Sequence, residues 1–424
     1  MTRFLDVTVP VRPLAEAAAL AVRLLTARSP QPVHAAVLLR AEDDTVTLSA
    51  TDGALTVRLR VPATVHTPGE SLVSRRGLAD TLTALQAPQA RLLAEGSRLA
   101  VKVPGARFAL PVLADDWPAV PALPPQTTRA EGPVLRTATA AVSGAASREH
   151  ALPIFTGVRL RAIGGTLSLL ATDRYRLAAA TLPITAPAAA SPAPAADPDT
   201  ALGLGSSGRD SHSGGSVGGR SAGGSAADGG AADGGPAAAI GPVAQFEALV
   251  PAGLLTRIAP VLGRAETVGL HVAGELFGLS WPGGSVVTPT LGDSYPDAQF
   301  DRLLAVEPEC VVELEANALA AAVERAAAYA GQHGRVTLQS IEGALLVRAA
   351  DPLRGESEET VKAVVRSGQA TRAYQARLLT DALHAFPGET VALRIQPALR
   401  ATEVTTPTAD LRYLIVPMRP DDQP

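Results

Sequence analysis

Few side chains in this chain have a type and spacing suited to catalysis or ligand binding. The main group of them lies at residues 171–178, Ala-Thr-Asp-Arg-Tyr-Arg-Leu-Ala. Asp52 and Asp173 each end a strand pattern and could be read as paired carboxylates for general acid–base catalysis. His150 and His333 are candidate metal ligands, although two histidines alone make a poor metal site. The single cysteine, Cys310, excludes a cysteine-based zinc cluster. The sequence therefore offers no nucleophile–base or metal constellation.

An internal repeat explains the two aspartates. The ending Ala-Thr-Asp at 50–52 recurs at 171–173 and, as Ala-Ala-Asp, at 349–351. Asp173 follows Asp52 by 121 positions, and Asp351 follows Asp173 by 178, an interval that contains a low-complexity insert at 186–240. Several strings at fixed offsets indicate three copies of one unit, so Asp52 and Asp173 lie far apart in different copies. We expect both to stabilise turns.

The elements that must position these residues repeat with the units. Apolar spacing predicts two helices per unit, for example at 13–26 and 71–86 in the first copy. Alternating patterns predict about eight strands per unit. The expected fold class is therefore α+β, with helices covering one face of each sheet. We predict domains at 1–125, 126–303 and 304–424, with the insert interrupting the second domain.

Composition narrows the class further. The chain has 424 residues and 46% hydrophobic content, enough to bury real cores, whereas aromatic residues make up only 3%. A net charge of −4 gives no global sign of a nucleic-acid binder. No signal peptide or membrane-spanning run is apparent, so we expect a soluble, cytoplasmic protein. The insert lacks large apolar residues and cannot offset the entropy of ordering.

Four motifs together resemble one family. They are the string at 171–178, Leu-Pro-Ile-Phe-Thr-Gly at 152–157, Asp-Ser-Tyr-Pro-Asp at 293–297 and Tyr-Leu-Ile-Val-Pro-Met-Arg at 413–419. The chain resembles the bacterial sliding clamp, the β subunit of DNA polymerase III, over essentially its whole length except the insert. The resemblance implies three clamp domains per subunit and a closed six-domain ring formed by a head-to-tail homodimer.

The resemblance also implies a partner-peptide pocket between the second and third domains. An apolar cleft of this kind receives the side chains of an extended peptide, and arginines at its rim fix the direction. Arg174 and Arg176 could otherwise be solvated strand residues. The residues carried over, with Leu399 placed by approximate alignment, are Phe155, Thr172, Arg174, Tyr175, Arg176, Leu177, Pro296, Leu399, Leu414, Ile415, Val416, Pro417, Met418 and Arg419.

DNA contacts in a clamp are directed at phosphates and are independent of sequence. Arginines on or beside the inner helices are the candidates, although an ordinary surface role remains open for each of them. They are Arg23, Arg28, Arg75, Arg76, Arg136, Arg148, Arg257, Arg264, Arg325, Arg335 and Arg377. Phe108 and Tyr329 lie where the family closes its dimer. Beside Tyr329, Ala328 stands where the family has a bulkier residue.

The function that the resemblance implies is that of a DNA polymerase processivity factor. Such a ring encircles and slides on double-stranded DNA and tethers DNA polymerase and clamp-loader subunits through short peptide motifs. It is not an enzyme, needs no cofactor or metal and has no membrane partner. Two alternatives stay open: a divergent second clamp for specialised polymerases or drug bypass, and a peptide-binding scaffold that no longer encircles DNA. The insert and the extension after Arg419 motivate the first alternative, and the sparse basic residues motivate the second.

Overall fold

A computed structural model describes residues 4–25, 31–149, 152–187, 245–292, 297–408 and 410–419. Arg28, His150 and Pro296 lie outside these residues, as do residues 188–240 of the insert and the residues after Arg419. Within the described residues, helices and strands recur in three successive sets, which are called units one, two and three.

Seven α-helices occur in the described residues, and each unit contributes one pair of adjacent helices. Their bounds are α1 Val11–Leu24, α2 Arg75–Thr83, α3 Gly132–Ser143, α4 Ala252–Leu262, α5 Asp297–Leu304, α6 Ala316–Ala327 and α7 Ala376–Leu383. The pairs α1–α2, α3–α4 and α6–α7 pack together. The sequence pattern did not predict α5, which lies in the connection between the second and third units.

Nine strands occur in the described part of unit one. They are β1 Asp6–Pro10, β2 Ala36–Glu42, β3 Thr45–Thr51, β4 Thr56–Pro62, β5 Thr64–Thr67, β6 Gly69–Ser74, β7 Gln89–Glu95, β8 Arg98–Val103 and β9 Ala106–Pro111. The predicted helix at 71–86 is therefore wrong at its start, because β6 occupies those residues. Ser74 caps α2 by accepting a hydrogen bond from the Gly77 N–H.

Units two and three repeat this order of elements. Unit two contains β10 Gln126–Glu131, β11 Gly157–Ile163, β12 Thr166–Thr172, β13 Arg176–Pro183, β14 Phe246–Pro251, β15 Thr267–Ala273, β16 Leu276–Trp281 and β17 Gly284–Pro289. Unit three contains β18 Cys310–Glu315, β19 Arg335–Ile341, β20 Ala344–Asp351, β21 Gly355–Lys362, β22 Val364–Ser367, β23 Thr371–Gln375, β24 Thr390–Ile395, β25 Thr402–Thr405 and β26 Leu411–Ile415.

Two of the sheets run continuously from one unit into the next. In an eight-stranded sheet, β4 of unit one pairs antiparallel with β17 of unit two. In a nine-stranded sheet, β13 of unit two pairs antiparallel with β26 of unit three. The units are therefore joined by main-chain hydrogen bonds between strands and not by loop contacts alone.

The core lies between the helix pairs and the inner faces of the sheets. Leu14 and Leu24 of α1 are fully buried against strand residues such as Val46 and Leu48, which alternate with less buried neighbours on β3. This pattern is that of a sheet with one covered face and one face toward solvent. Leu, Val and Ala supply most of the buried volume.

The insert begins after the end of β13, near Pro183, and the described chain resumes at residue 245 before β14. β13 starts at Arg176, and its eight residues place Pro183 about 25 Å from that start. The chain therefore enters the insert at the end of β13 opposite Asp173 and Tyr175.

Candidate functional site

Three equivalent turns are each organised by one aspartate. The Oδ1 atom of Asp173 accepts hydrogen bonds from the N–H groups of Tyr175 and Arg176, both at 3.0 Å. Asp52 and Asp351 accept N–H groups two and three residues ahead in the same way. The predicted turn role of Asp52 and Asp173 is confirmed by these hydrogen bonds.

The turn of unit two projects an aromatic side chain. Thr172 fixes it by accepting the Arg174 N–H at 3.1 Å and donating to the Arg176 carbonyl oxygen at 2.6 Å. Arg174 adopts a φ of 80°, a left-handed conformation that costs a residue with a Cβ about 1 kcal/mol. The turn leaves Tyr175 60% exposed, which is unusual for so large a side chain.

The C-terminal segment 416–419 runs past this turn. Arg176 pairs with Ile415 in the sheet, so β13 begins where β26 ends. The Val416 N–H donates to the Tyr175 carbonyl oxygen at 2.9 Å, and the Met418 N–H donates to the Ala373 carbonyl oxygen at 2.7 Å. These main-chain bonds hold the segment between the turn of unit two and β23 of unit three.

A groove of about 600 Å³ lies along this segment, at the junction of units two and three. Its apolar walls include Leu378, Val416 and Met418, and its polar rim includes Arg377 and Arg419. The lining residues are Asp173, Tyr175, Gln332, His333, Gln375, Arg377, Leu378, Val416, Pro417, Met418 and Arg419. An apolar floor with a few polar groups at the rim is the usual form of a ligand site.

A buried guanidinium supports the groove from below. Arg176 is only 6% exposed, and it donates to Asp173 Oδ2 at 2.9 Å and to Asp381 Oδ2 of α7 at 2.6 Å. Burial acts to lower the pKa of Arg176, but Tyr413 and the two carboxylates outweigh it, so the pKa is raised. Arg176 stays charged and ties the turn of unit two to the helix of unit three.

An apolar layer lies on the other face of the same sheet. Leu177 and Leu414 are buried there, and Phe300 of α5 packs against them. Arg412, which is paired with the fully buried Glu403, donates to the Leu304 carbonyl oxygen at 2.5 Å at the end of α5. The helix that the sequence pattern missed is therefore held against the junction by a buried ion pair.

The predicted pocket residues separate into groups in the structure. Tyr175, Val416, Pro417, Met418 and Arg419 share the groove. Thr172, Arg176, Leu177, Leu414 and Ile415 are buried beneath it and position those residues.

The remaining predicted pocket residues lie at the margin. Phe155 and Arg174 lie beside the groove, with the Arg174 guanidinium carbon 5.8 Å from the centre of the Phe155 ring. Leu399 is 42% exposed in the connection between β24 and β25 and does not line the groove. Pro296 lies outside the described residues.

The arginines predicted to face DNA occupy several environments. One prediction needs correction: Arg75 is 5% exposed, burial lowers the pKa of its guanidinium, and NH1 donates to the His34 carbonyl oxygen. A buried side chain cannot reach a phosphate. Six of the predicted arginines have exposed side chains on the paired helices: Arg23, Arg76, Arg136, Arg257, Arg325 and Arg377. Arg264 is exposed directly after α4, and Arg28 lies outside the described residues.

Two of the predicted arginines make contacts that the sequence did not indicate, and two others line cavities. Arg325 forms a bidentate ion pair with Glu359 of β21, at 2.5 and 3.0 Å. Arg335 donates to the Arg419 carbonyl oxygen at 2.9 Å, at the end of the groove. Arg377 lines the groove itself, and Arg148 lines a smaller cavity next to it.

The predicted dimer residues lie near strand edges. Phe108 is 41% exposed on β9, which is the edge strand of a five-stranded sheet in the described chain. Tyr329 is 36% exposed after α6 and lies close to Gly355, the first residue of the edge strand β21.

The sequence prediction missed Gln332, His333, Gln375 and Leu378 as groove residues. Gln375 ends β23 and Leu378 lies in the first turn of α7, the second helix of unit three, and the repeat gave no reason to prefer that helix end. The signal becomes visible only through the pairing of β13 with β26, which brings α7 next to Tyr175. Among the described residues, no cluster of three potential metal ligands occurs.

Comparison with known families gives two matches at the two ends of the chain. Residues 5–121 match the model of the DNA polymerase III beta subunit, N-terminal domain. Residues 301–419 match that of the DNA polymerase III beta subunit, C-terminal domain. The two matched segments together span more than half of the chain.

Individual relatives agree with these matches. A beta sliding clamp of Streptomyces coelicolor is 28% identical over 96% of this chain and 97% of its own length. A beta sliding clamp of Micrococcus luteus is 37% identical over 39% of this chain and 54% of its own length. The crystal structure of a sliding clamp from Pseudomonas aeruginosa bound to griselimycin has a TM-score of 0.79 at 22% identity, covering 98% of this chain and all of that one. The fold is that of these clamps.

Proposed function

Because the chain belongs to the family of bacterial DNA polymerase III beta subunits, the sliding clamps, we propose that it is a DNA polymerase processivity factor. Two copies form a ring around duplex DNA, and the groove between units two and three holds short peptides of polymerases and clamp-loader subunits. In this role the protein performs no catalysis, and it encircles DNA in the cytoplasm. The longest described helix has 14 residues, and none in the described chain has the length and hydropathy needed to cross a bilayer.

One observation supports the closed ring. The two junctions between units have the same strand pairing, whereas the two strands of a third equivalent set are not paired with each other in the described chain. β4, β13 and β21 each follow an aspartate turn, and β9, β17 and β26 each end the sheet sequence of their unit. β4 pairs with β17, and β13 pairs with β26. β21 and β9 are both edge strands in the described chain. Pairing β21 of one copy with β9 of a second copy repeats the same junction, and doing so twice closes the ring.

Charge supports this pairing. The β21 edge carries Glu356, Glu358 and Glu359, of which Glu358 pairs with Arg348 and Glu359 pairs with Arg325. Arg107 on β9 and Lys102 on the neighbouring strand β8 share the single carboxylate of Glu95. These ion pairs leave a surplus negative charge on the β21 side and a surplus positive charge on the β9 side. Opposite charges on facing strands favour a head-to-tail arrangement over contact between two identical edges. An unpaired edge is otherwise a liability for a soluble protein.

The helix pairs supply the surface for DNA. Each pair packs on the side of its sheets that closes the core, and its outer face carries exposed arginines in every unit. Contacts of this kind bind phosphates without reading bases, which a sliding ring requires. A net charge of −4 is compatible with this role because only the local field along the helices acts on the duplex.

The direct test combines solution mass with primer extension. Light scattering should give a dimer, and addition of the protein with its clamp loader to a replicative polymerase on primed circular DNA should lengthen the products. Substitution Phe108→Glu places a carboxylate opposite the acidic β21 edge, so this variant should be monomeric and should fail to lengthen the products.

Ile163→Glu is the matched control, because Ile163 is 45% exposed at the end of β11 and lies away from both edge strands. This variant should behave as the parent protein does. A parent protein that is monomeric and does not lengthen the products would refute the proposed function.

A further inference from the structure

A second, smaller cavity of about 180 Å³ lies beside the groove, where it has no part in the function proposed so far. Tyr175 and Arg377 line both cavities, so the two recesses share one wall. The loop after α3, the turn before β13 and the start of α7 enclose it. Its charged residues are Arg148, Glu149, Asp173, Arg174, Arg176 and Arg377.

Positive charge in this cavity exceeds what its own carboxylates neutralise. Arg176 is engaged by Asp173 below the surface. Arg174 pairs with Glu149, but the distance of 3.5 Å and the exposure of both side chains make this pair weak.

Two further arginines line the cavity without a partner of their own. Arg148 and Arg377 have exposed side chains, and neither makes an ion pair or hydrogen bond within the described part of the chain. The cavity also lies at the start of α7, where a helix carries partial positive charge and where its first turn has no acidic residue.

We propose that this cavity binds the carboxylate of an acidic residue in the same partner peptide whose apolar side chains occupy the groove. The inference rests on the proposed function and adds a preference to it: partners carrying Asp or Glu next to their apolar anchors bind more tightly. Two guanidinium groups can grip one carboxylate through charge-assisted hydrogen bonds, which are about twice as strong as neutral ones.

A peptide fits this cavity better than a DNA phosphate does. Sliding contacts with a duplex require guanidinium groups that protrude from a helix face, whereas Arg148 and Arg377 line a recess. The recess is continuous with an apolar groove across Tyr175, and a segment that fills the groove brings its neighbouring residues to the arginines. A carboxylate is also small enough to enter a cavity of this volume.

The test uses fluorescence anisotropy of the dimeric protein with labelled peptides. Each peptide carries the same Leu and Phe anchors and one Glu placed before, between or after them, and each is paired with a peptide that has Gln at that place. At one position or more, the Glu peptide should bind about tenfold more tightly than its Gln partner, and the advantage should shrink with added salt.

The variants Arg148→Gln and Arg377→Gln should each reduce this advantage, and the double variant should abolish it. Arg377 also lines the groove, so the readout is the ratio of Glu-peptide to Gln-peptide affinity within each variant. Arg148 does not line the groove, so Arg148→Gln alone should leave binding of the Gln peptides as it was. Arg12→Gln is the matched control, since this exposed arginine on α1 lies far from the cavity and should leave the advantage intact. The same proteins are titrated with a labelled duplex to follow DNA affinity.

Each result decides the matter. Equal binding of the Glu and Gln peptides at every position overturns the inference while leaving the proposed function in place. Loss of duplex affinity in the variants, with the peptide preference unchanged, also overturns it and assigns the arginines to DNA. Failure of all peptides to bind removes the groove as a peptide site and the inference with it.

Discussion

Arg176 provides the sharpest test of how the junction between units two and three is held. Arg176→Met keeps most of the side-chain volume but removes the charge that bridges Asp173 and Asp381. Breaking a buried ion pair from one side costs about 3–5 kcal/mol. The lower end applies here, because Asp381 is 42% exposed and water can solvate it, while Asp173 keeps its two main-chain hydrogen bonds.

The assay is native-state hydrogen exchange followed by mass spectrometry, which reports local opening. A loss of about 3 kcal/mol predicts that amides of β26 and of Val416 exchange on the order of 100-fold faster than in the parent protein. Asp381→Asn retains an acceptor at a partly exposed position, so its effect should be roughly fivefold, about 1 kcal/mol.

Arg159→Met is the matched control. Arg159 of β11 is 8% exposed and pairs with Glu247 of β14, which is an edge strand of the same sheet. This variant should loosen β14 and leave β26 unchanged. If Arg176→Met leaves exchange in β26 within a factor of about two, the ion pair does not hold the junction, and the reasoning from burial is wrong.

Two further predictions concern unit three. Glu403→Gln should lower the free energy of unfolding by about 3 kcal/mol, because it leaves two partly buried arginines without their counter-charge. Denaturant unfolding measures this, and an unchanged midpoint would contradict it. Burial raises the pKa of Tyr374 to about 12, so from roughly pH 10 upward the unfolded chain loses a proton that the native state keeps. Stability should therefore fall as pH rises through this window, and melting curves of Tyr374→Phe should fall less steeply than those of the parent protein.

The sequence was most informative where periodicity and repetition act locally. The positions of six helices followed from apolar spacing, although α2 begins at Arg75 and not at residue 71. The three aspartate turns followed from one repeated string, because an aspartate side chain bonds to the main chain just ahead of it. Local rules of this kind require no knowledge of which units are neighbours.

The composition of the groove depended on long-range packing. Arg377 was predicted to face DNA, and the sequence did not indicate that it also lines the groove, which follows because the pairing of β13 with β26 brings α7 beside Tyr175. Arg75 was expected to be exposed, yet it lies buried at the start of its helix. Neither outcome can be obtained from spacing along one helix, because each depends on which strands lie across from it.

By itself, the sequence predicted three similar α+β units, and its resemblance to the sliding clamps implied that Tyr175 and the residues before Arg419 belong to one site. Tertiary structure alone decided how the units join and what surrounds that site. In the described part of the chain, strand pairing between units leaves β9 and β21 as edge strands, and the start of α7 places Arg377 at the wall shared by the groove and the smaller cavity. The physical reason is that repeats and turns are encoded by neighbouring residues, whereas an interface between units is fixed by hydrogen bonds between residues more than 200 positions apart.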